Sequence, residues 1–414
     1  MPPLKILVIT PHYAPDHGPS APIFTALCED LHGLGYDVTV ITTFPHYDSS
    51  VRANHHAKGL IQEEHLNGVR ILRTYVYTVP KGALWGRLLY HASVNLFSTW
   101  ASFRIRKPDI VLADAPMLWS GLPLLVKAVF PKVPFIYIVY DIYPDVLTRL
   151  GILKNPPLIR LIERVEKYFY DHSSWVSVLS EGFKENLVSK GVPENKIAVI
   201  PICVDVEFIR PLPCENDLKS KWGLSNKFVV LYAGNIGLSQ GLETVLHAAN
   251  LLSLYPDIVF VLVGEGATKP ALQAKAEELG LNNVKFFPFQ SREDVPLVYS
   301  LADICLIALK RNIIVESVPS KTFTIMASAR PIVATVDRNT EVGSLLEKAE
   351  CGLCVEPENP GALASAIVQL YKDDTLRRDM GARGREYVVA HYPRQFAAKQ
   401  YHTLIQGLVA GGEE

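Results

Sequence analysis

The chain carries almost no net charge, no long hydrophobic run and few cysteines, and each lack closes off a class of function. Lys and Arg number 41 against 42 Asp and Glu among 414 residues, for a formal net charge of −1. The chain as a whole therefore makes no case for nucleic-acid binding. Its longest apolar region, residues 117–140, is broken by Lys127, Pro131, Lys132 and Pro134. A spanning helix needs about 20 uninterrupted apolar residues, so no transmembrane segment is expected. The apolar run at residues 6–9 is too short for a signal-peptide core and no small-residue cleavage site follows, so the expected location is the cytoplasm. The six cysteines (Cys28, Cys203, Cys214, Cys305, Cys351 and Cys354) are spread as reduced thiols are, not as a disulfide frame. Cys351-Gly-Leu-Cys354 lacks the second ligand pair that zinc needs, and a structural role is expected. His12, His17, His46, His55, His56 and His65 make no recognisable ligand set, so no metal is expected. No repeat of solenoid length is present.

What is there points to a folded α/β protein. Hydrophobic residues make up 49% and charged residues 20%, which excludes a disordered chain. The length calls for two or three domains. Short β-branched runs at 5–10, 37–42, 69–75, 109–113, 135–140, 175–179 and 197–201 read as strands in the first half. Runs at 228–232, 258–263, 284–287, 304–309 and 331–335 do so in the second. Continuous Val/Ile/Leu runs suit strands buried on both faces. The segments between carry helical spacing, as in Leu242, Val245, Leu246, Ala249 and Leu252. Such alternation means parallel, doubly wound sheets. The alternation breaks once, at the polar stretch 208–223 with Pro211 and Pro213, which reads as a linker. The expected domains are thus 1–207 and 208–392. A final helix in 393–414, with Phe396, Ala397, Tyr401, Leu404, Ile405 and Leu408 at helical spacing, is expected to pack back on the first. Ligands of such sheets bind outside the carboxyl ends of the strands. Two such domains facing across a cleft would suit a reaction between two substrates.

Five segments could carry chemistry. The loop after the first strand, Pro11-His-Tyr-Ala-Pro-Asp-His-Gly-Pro-Ser-Ala-Pro22, is longer than a usual βα loop and precedes a helix start that could face a phosphate. Tyr232-Ala-Gly-Asn-Ile-Gly-Leu-Ser-Gln-Gly241 has neither the dinucleotide glycine spacing nor the Walker Lys-Ser/Thr pair, yet its glycines would let backbone approach a pyrophosphate. In Glu316-Ser-Val-Pro-Ser-Lys-Thr-Phe-Thr-Ile-Met-Ala327, Ser320 could cap a helix whose first turn holds Lys321, making an anion site or simply a capped surface helix. Asp141-Ile-Tyr-Pro-Asp145 ends a very apolar strand, as a pair of functional carboxylates or as a polar turn. Between His65 and Pro108 there is no acid, while Arg70, Arg73, Lys81, Arg87, Arg104, Arg106 and Lys107 alternate with Tyr75, Tyr77, Trp85, Leu88, Leu89, Tyr90, Phe97, Trp100 and Phe103. That pattern suits an anionic membrane surface, or a core helix with a solvated basic face.

In order, these segments resemble glycosyltransferase family 4 over nearly the whole chain. The resemblance runs through the loop with Gly18, Ser177-Val-Leu-Ser-Glu-Gly-Phe-Lys-Glu-Asn-Leu187 and the stretch from Gly191 to Val204-Asp205. It continues through residues 234–241, Val263-Gly-Glu-Gly266, Ala302-Asp303, Ala327-Ser-Ala-Arg-Pro-Ile-Val-Ala334 and Cys351-Gly-Leu-Cys-Val-Glu-Pro357. Residues 141–145 and Val318-Pro-Ser-Lys321 are most similar to the bacterial surface-polysaccharide subgroup, with its colanic acid and O-antigen fucosamine transferases. The resemblance implies a GT-B fold, two Rossmann-like domains facing across a cleft. It also implies a reaction that retains anomeric configuration with no tightly held metal or cofactor, the nucleoside diphosphate sugar being substrate. A hexose-type donor and a lipid-linked acceptor in polysaccharide biosynthesis follow, with work at the inner face of the membrane. It places Glu316, Lys321 and Asp141 at the chemistry. Gly18, Asn235, Gly237, Gln240, Gly264, Gly266, Phe289, Ser320, Lys321 and Thr324 fall on the donor, and Tyr143 and His12 on the acceptor.

Departures from the family pattern matter. Asn235 and Gln240 stand where the donor loop usually has arginine and lysine, and Thr324 stands at the second of two glutamates. Ile202-Cys203 replaces the usual Asn-Gly, and Tyr140 replaces a histidine. A leaving diphosphate still develops charge that something must stabilise. Lys321 is the expected substitute, with Arg311 and Arg330 as alternates and helix starts near Gly18 and Gly241 adding partial charge. Two rivals use the same architecture: a nucleotide-sugar epimerase, which would exchange ring positions without transfer, and a non-catalytic partner subunit, which would hydrolyse no donor.

Overall fold

The apolar runs fold as strands because a sheet covered on both faces favours apolar side chains over most of its length, a buried charge such as Arg73 being paired with Glu64 at 2.6 Å. The structure is a computed structural model that describes residues 3–16, 18, 20–46, 59–78, 84–149, 151–311 and 318–410. Glu316, Lys81, His17, His55 and His56 lie outside the described residues. The chain divides into two compact units, Met1–Ile202 with Arg394–Glu414, and Cys203–Pro393.

The first unit is built on β1 (Lys5–Ile9), β2 (Asp37–Thr43), β3 (Ile61–Leu66), β4 (Val69–Thr74), β5 (Ile110–Asp114), β6 (Phe135–Val139), β7 (Trp175–Val178) and β8 (Ile197–Val199). They form one sheet in the order β3-β4-β2-β1-β5-β6-β7-β8. Every pair is parallel except β3 with β4. In β1, Leu7 and Ile9 enter the core on one face, and Ile6 and Val8 enter the core on the other. That is the period-two alternation of a strand covered on both sides. Helix Arg394–Ala410 belongs to this unit. It buries Ala398, Tyr401 and Ile405, and the Arg394 guanidinium donates to Asp30 at 2.9 and 3.0 Å and to Glu29 at 2.8 Å.

In the second unit β9 (Phe228–Ala233), β10 (Ile258–Val263), β11 (Val284–Phe287), β12 (Ile304–Ala308), β13 (Ile332–Thr335) and β14 (Gly352–Val355) form an all-parallel sheet in the order β11-β10-β9-β12-β13-β14. Counted within the unit this is the doubly wound arrangement, whose order reverses between the first and fourth strands. The topological switch point thus lies between β9 and β12, and its counterpart in the first unit lies between β1 and β5.

Three expectations change. The stretch 208–223 is not a linker but the opening of the second unit. It holds helix Asp217–Lys221, capped by Asn216 and burying Leu218. Leu212 N–H donates to Ser300 Oγ at 3.2 Å, and the Arg385 guanidinium donates to the carbonyls of Val206, Ile209 and Ala327. Its buried residues are spaced among prolines and polar groups, so no period shows. β3 was not expected, because its sequence IQEEHL is half-exposed and polar. β14 was not expected either, since the C-x-x-C segment supplies it. Gly352 lets it approach β13: a Cβ there would stand 2.3 Å from the Ile332 carbonyl oxygen.

Candidate active site

In the second unit, chemistry gathers where β9 ends. Tyr232 is fully buried, and its hydroxyl lies 2.6 Å from the Asn235 carbonyl oxygen and 3.0 Å from Gln240 Oε1. The loop turns at Gly234, with φ +140, and at Gly241, with φ +59 in the left-handed region that favours glycine. Helix Ser320–Ala327 brings Lys321 over this loop. Its ammonium sits 4.1 Å from the Tyr232 ring centroid and 3.4 Å from Gln240 Oε1. A Cβ on Gly234 would stand 3.6 Å from Lys321 Nζ. Desolvation pushes this half-buried ammonium down to about 7. A cation held over a glycine loop at a switch point, with no ion-pair partner among the described residues, is chemically able to receive an anion.

The alternates for that role are engaged elsewhere. Arg311 pairs with Glu356 at 2.8 Å, and the Arg330 guanidinium donates to the Leu212 carbonyl at 3.0 Å. Asn235 is exposed, and a Cβ on Gly237 would meet its Nδ2 at 2.7 Å. Gly264 and Gly266 have a packing role: added Cβ atoms would fall 1.9 Å from the Gly234 carbonyl oxygen and 2.2 Å from that of Ile236. These contacts join the loops after β9 and β10, and Ile236 N–H donates to the Glu265 carbonyl at 2.9 Å. Phe289, after β11, is 44% exposed. Ser320 does not cap its helix; it is the first helical residue, the cap position is Pro319, and no side chain caps the end. The Thr324 hydroxyl faces the Ser320 carbonyl at 3.4 Å, within the helix.

In the first unit the carboxyl ends of β1, β2, β5 and β6 carry a second cluster. Thr10 Oγ1 donates to Asp114 Oδ2 at 3.0 Å, bridging the β1/β5 switch point. Asp114 is buried, and desolvation, then the Thr10 bond acting against it and Asp141 acting with it, leave its carboxyl well above the usual range. Desolvation also pushes Asp141 up to about 6, although the residue as a whole stays exposed. Asp145, by contrast, pairs with Lys190 at 2.6 Å and anchors the loop.

Beside these carboxyls, His12 Nδ1 lies 2.9 Å from Asp16 Oδ2, and His46 Nδ1 lies 3.8 Å from the same oxygen. The two imidazoles stack at 5.1 Å, and His46 Nε2 meets the Tyr90 hydroxyl at 3.1 Å. A Cβ on Gly18 would fall 2.3 Å from His12 Cγ, so Gly18 packs on that ring. Tyr90, His91, Trp119 and Tyr143 continue as an aromatic chain, with centroids 5.1, 5.9 and 6.3 Å apart. Sequence reading found no ligand set among the histidines. The fold nevertheless gathers His12, Asp16 and His46, with ligand atoms within 4.8 Å of one another, into the one group among the described residues that could hold a cation. As it stands His12 is bonded to Asp16, while His46 Nδ1 meets the Phe44 carbonyl at 3.0 Å and its Nε2 the Tyr90 hydroxyl.

Asp114 and Trp119 escaped the sequence reading, and Asp16, His46, Tyr90 and Tyr232 were met in it without a role at the site. Asp16, His46 and Asp114 could have been found by noting every polar side chain at or just past the carboxyl end of a strand. Tyr232 ends an apolar run and opens the glycine loop, and nothing local shows that its ring faces Lys321.

This architecture is that of the GT-B glycosyltransferases. Sucrose-phosphate synthase from Thermosynechococcus elongatus superposes with a TM-score of 0.76 at 19% identity, covering 99% of this chain and 100% of that one. HepE of Anabaena, solved in complex with UDP-glucose, does so with a TM-score of 0.71 at 16% identity, covering 98% and 100%. Residues 20–203 match the glycosyl transferase 4-like domain, and residues 215–387 match glycosyl transferases group 1. WcaI of Escherichia coli, named for colanic acid biosynthesis, is 30% identical over 393 residues, 92% of this chain and 96% of that one. WbjE of Pseudomonas aeruginosa, named as a glycosyltransferase, is 23% identical over 76% of this chain and 78% of that one. The chain belongs to the family 4-like glycosyltransferases.

Proposed function

We propose that this glycosyltransferase moves a hexose-type sugar, with retained anomeric configuration, from a nucleoside diphosphate carrier to a hydroxyl of a lipid-linked glycan intermediate in polysaccharide biosynthesis. The supporting observation is Lys321, a desolvated ammonium over the glycine loop of the second unit. In this reading Lys321 neutralises the departing diphosphate, with backbone at residues 234–241 and Asn235 beside it. Gln240 and Tyr232 hold the lysine in place. Glu316 and Thr324 would contact the sugar or ribose, and Phe289 with the edges at Gly264 and Gly266 the base. Solved relatives such as HepE carry UDP-glucose, which makes UDP the first carrier to test.

The first unit would take the acceptor. Asp141, kept ionised above about pH 6, would accept a hydrogen bond from the reacting hydroxyl. Asp114, whose carboxyl burial raises well above the usual range, would stand behind it, holding Thr10. His12 and Tyr143 would line the sugar-binding hollow, where aromatic faces suit sugar rings. The leaving phosphate itself can take the acceptor proton in a front-face reaction, so no further base is needed. Work at the cytoplasmic face of the membrane follows from a lipid-linked acceptor.

A donor panel tests this reading. The purified chain is heated with UDP, GDP, dTDP and CMP carriers, and its slow hydrolysis of each nucleotide sugar is followed. A carrier at 100 times its Kd adds about 2.7 kcal/mol to the folded state. A chain that is stabilised by none and hydrolyses none is not a transferase.

A further inference from the structure

Helix Leu84–Ser102 turns an unusual face to solvent. Its exposed positions include Leu88, Leu89, Ala92, Leu96 and Trp100, and Phe103 follows at its end. Leu96 and Phe103 are 61% and 68% exposed. At about 100° per residue these positions share an arc of roughly 120°, so they form one apolar stripe. Phe130 stands 69% exposed, and Lys127 of the same segment donates to the Ile105 carbonyl at 2.7 Å, which brings it to the stripe's end. A soluble surface rarely gathers so many large apolar side chains without a partner.

The charge beside the stripe says which partner. Arg104, Arg106 and Lys107 are exposed, and no acid lies within ion-pair distance of them among the described residues. A second copy docked through this face would bring the same apolar stripe and the same cations, with no acid between His65 and Pro108 to pair them. A negatively charged layer above an apolar one complements both features.

We propose that this stripe, with Phe103 and Phe130, lies in the interface of an anionic phospholipid bilayer, with Arg104, Arg106 and Lys107 on the lipid phosphates. The opposite side of the same helix supplies Tyr90 and His91 to the cluster with His46 and Trp119. One helix diameter, about 10 Å, therefore separates the bilayer from the acceptor hollow. A lipid-linked acceptor would reach that hollow without leaving the surface. The purpose, though not the surface itself, rests on the acceptor reading above.

Vesicle co-sedimentation of the full chain tests it, with no donor or acceptor present, so it can fail while transfer stands and the reverse. The chain should sediment with phosphatidylcholine–phosphatidylglycerol vesicles and stay in solution with phosphatidylcholine alone. Binding should weaken when salt rises to about 1 M, where the screening length falls to about 3 Å. Leu96→Ser with Trp100→Ser, and separately Arg104→Gln with Arg106→Gln and Lys107→Gln, should each lower partitioning by about tenfold or more. Unchanged circular dichroism and donor hydrolysis would show that these variants fold. No binding to either vesicle, equal binding to both, or folded variants that bind like the parent would overturn the proposal. So would a dimer in sedimentation equilibrium that Leu96→Ser dissociates, because that assigns the stripe to a second copy.

Discussion

Replacing Lys321 by methionine should make the free protein more stable and the nucleotide-bound protein less so. Lys321 falls from 10.5 to about 7 on folding because burial disfavours its charge. At about 1.4 kcal/mol per pH unit, that is at most ~5 kcal/mol against folding. The aromatic face of Tyr232 returns about 1–2 kcal/mol while the lysine is charged. The net gain for Lys321→Met at pH 6 is then ~3 kcal/mol. Between pH 7 and 10.5 the unfolded chain holds a proton that the folded chain has released, so the parent gains stability as pH rises. By pH 9 the penalty has shrunk to ~2 kcal/mol; the folded lysine is then neutral and the aromatic face returns nothing, so the variant's advantage falls to ~2 kcal/mol. A domain of this size moves its melting temperature by about 2–4 °C per kcal/mol. Scanning fluorimetry should therefore show the variant melting about 6–12 °C higher at pH 6 and about 4–8 °C higher at pH 9. Addition of UDP should raise the melting temperature of the parent and leave that of the variant unmoved. A diphosphate also pulls the lysine's proton affinity back up, so parental affinity should be greatest below pH 7 and decline above it. A variant no more stable at pH 6 than at pH 9, yet still stabilised by UDP, would refute both the desolvated cation and its anion.

Two further outcomes follow from the first unit. Asp141→Asn should remove an acid limb from the pH–rate profile: the parent loses activity as pH falls through about 6, while the variant turns over slowly, by roughly 10²-fold, without that limb. Glu166 is buried, accepts from the Met117 N–H and the Tyr137 hydroxyl, and is pushed up to about 7 by desolvation. Between pH 4.5 and 7 the folded state holds the proton, so stability falls as pH rises. Glu166→Gln keeps the Met117 contact through its amide oxygen and donates its amide to the Tyr137 hydroxyl, and should add ~3 kcal/mol at pH 8 but only ~1 kcal/mol at pH 5, read by urea denaturation.

Much of the fold was legible because doubly wound sheets write each buried strand as an apolar run. The exceptions were strands at the edges of their sheets. β3 has the polar face of an edge, and its hairpin turn, Asn67-Gly68 with φ of +51 and +83, is a two-residue signal that outweighs a missing apolar run. β14 was hidden by the Cys351-Gly-Leu-Cys354 pattern it overlaps, which invites a metal reading before a strand. The sites divide along similar lines. Lys321 and the glycine loop announce themselves locally, since a turn needing positive φ must use glycine. Thr10 and Asp114, 104 positions apart, meet only because β1 and β5 are neighbours across the switch point. Nothing local to either residue shows that adjacency. The apolar stripe lay between: its composition was plain, but only burial separates an outward Leu96 from an inward Val94.

The missing charges of the donor loop read differently once Gln240 and Lys321 are seen in contact. The family pattern puts a lysine on the loop, where its charge would approach the diphosphate from a flexible turn. Here the loop position offers an amide oxygen 3.4 Å from an ammonium borne by helix Ser320–Ala327. Tyr232 shares that amide oxygen and presents its ring to the same ammonium. A cation fixed by a ring, an amide and a helix has little freedom left to lose when the anion arrives. Preorganised charge of this kind acts without reorganisation as the leaving group departs. On this argument Gln240→Lys does not restore a lost function. It sets two cations against each other over Tyr232, and donor hydrolysis should fall, not rise.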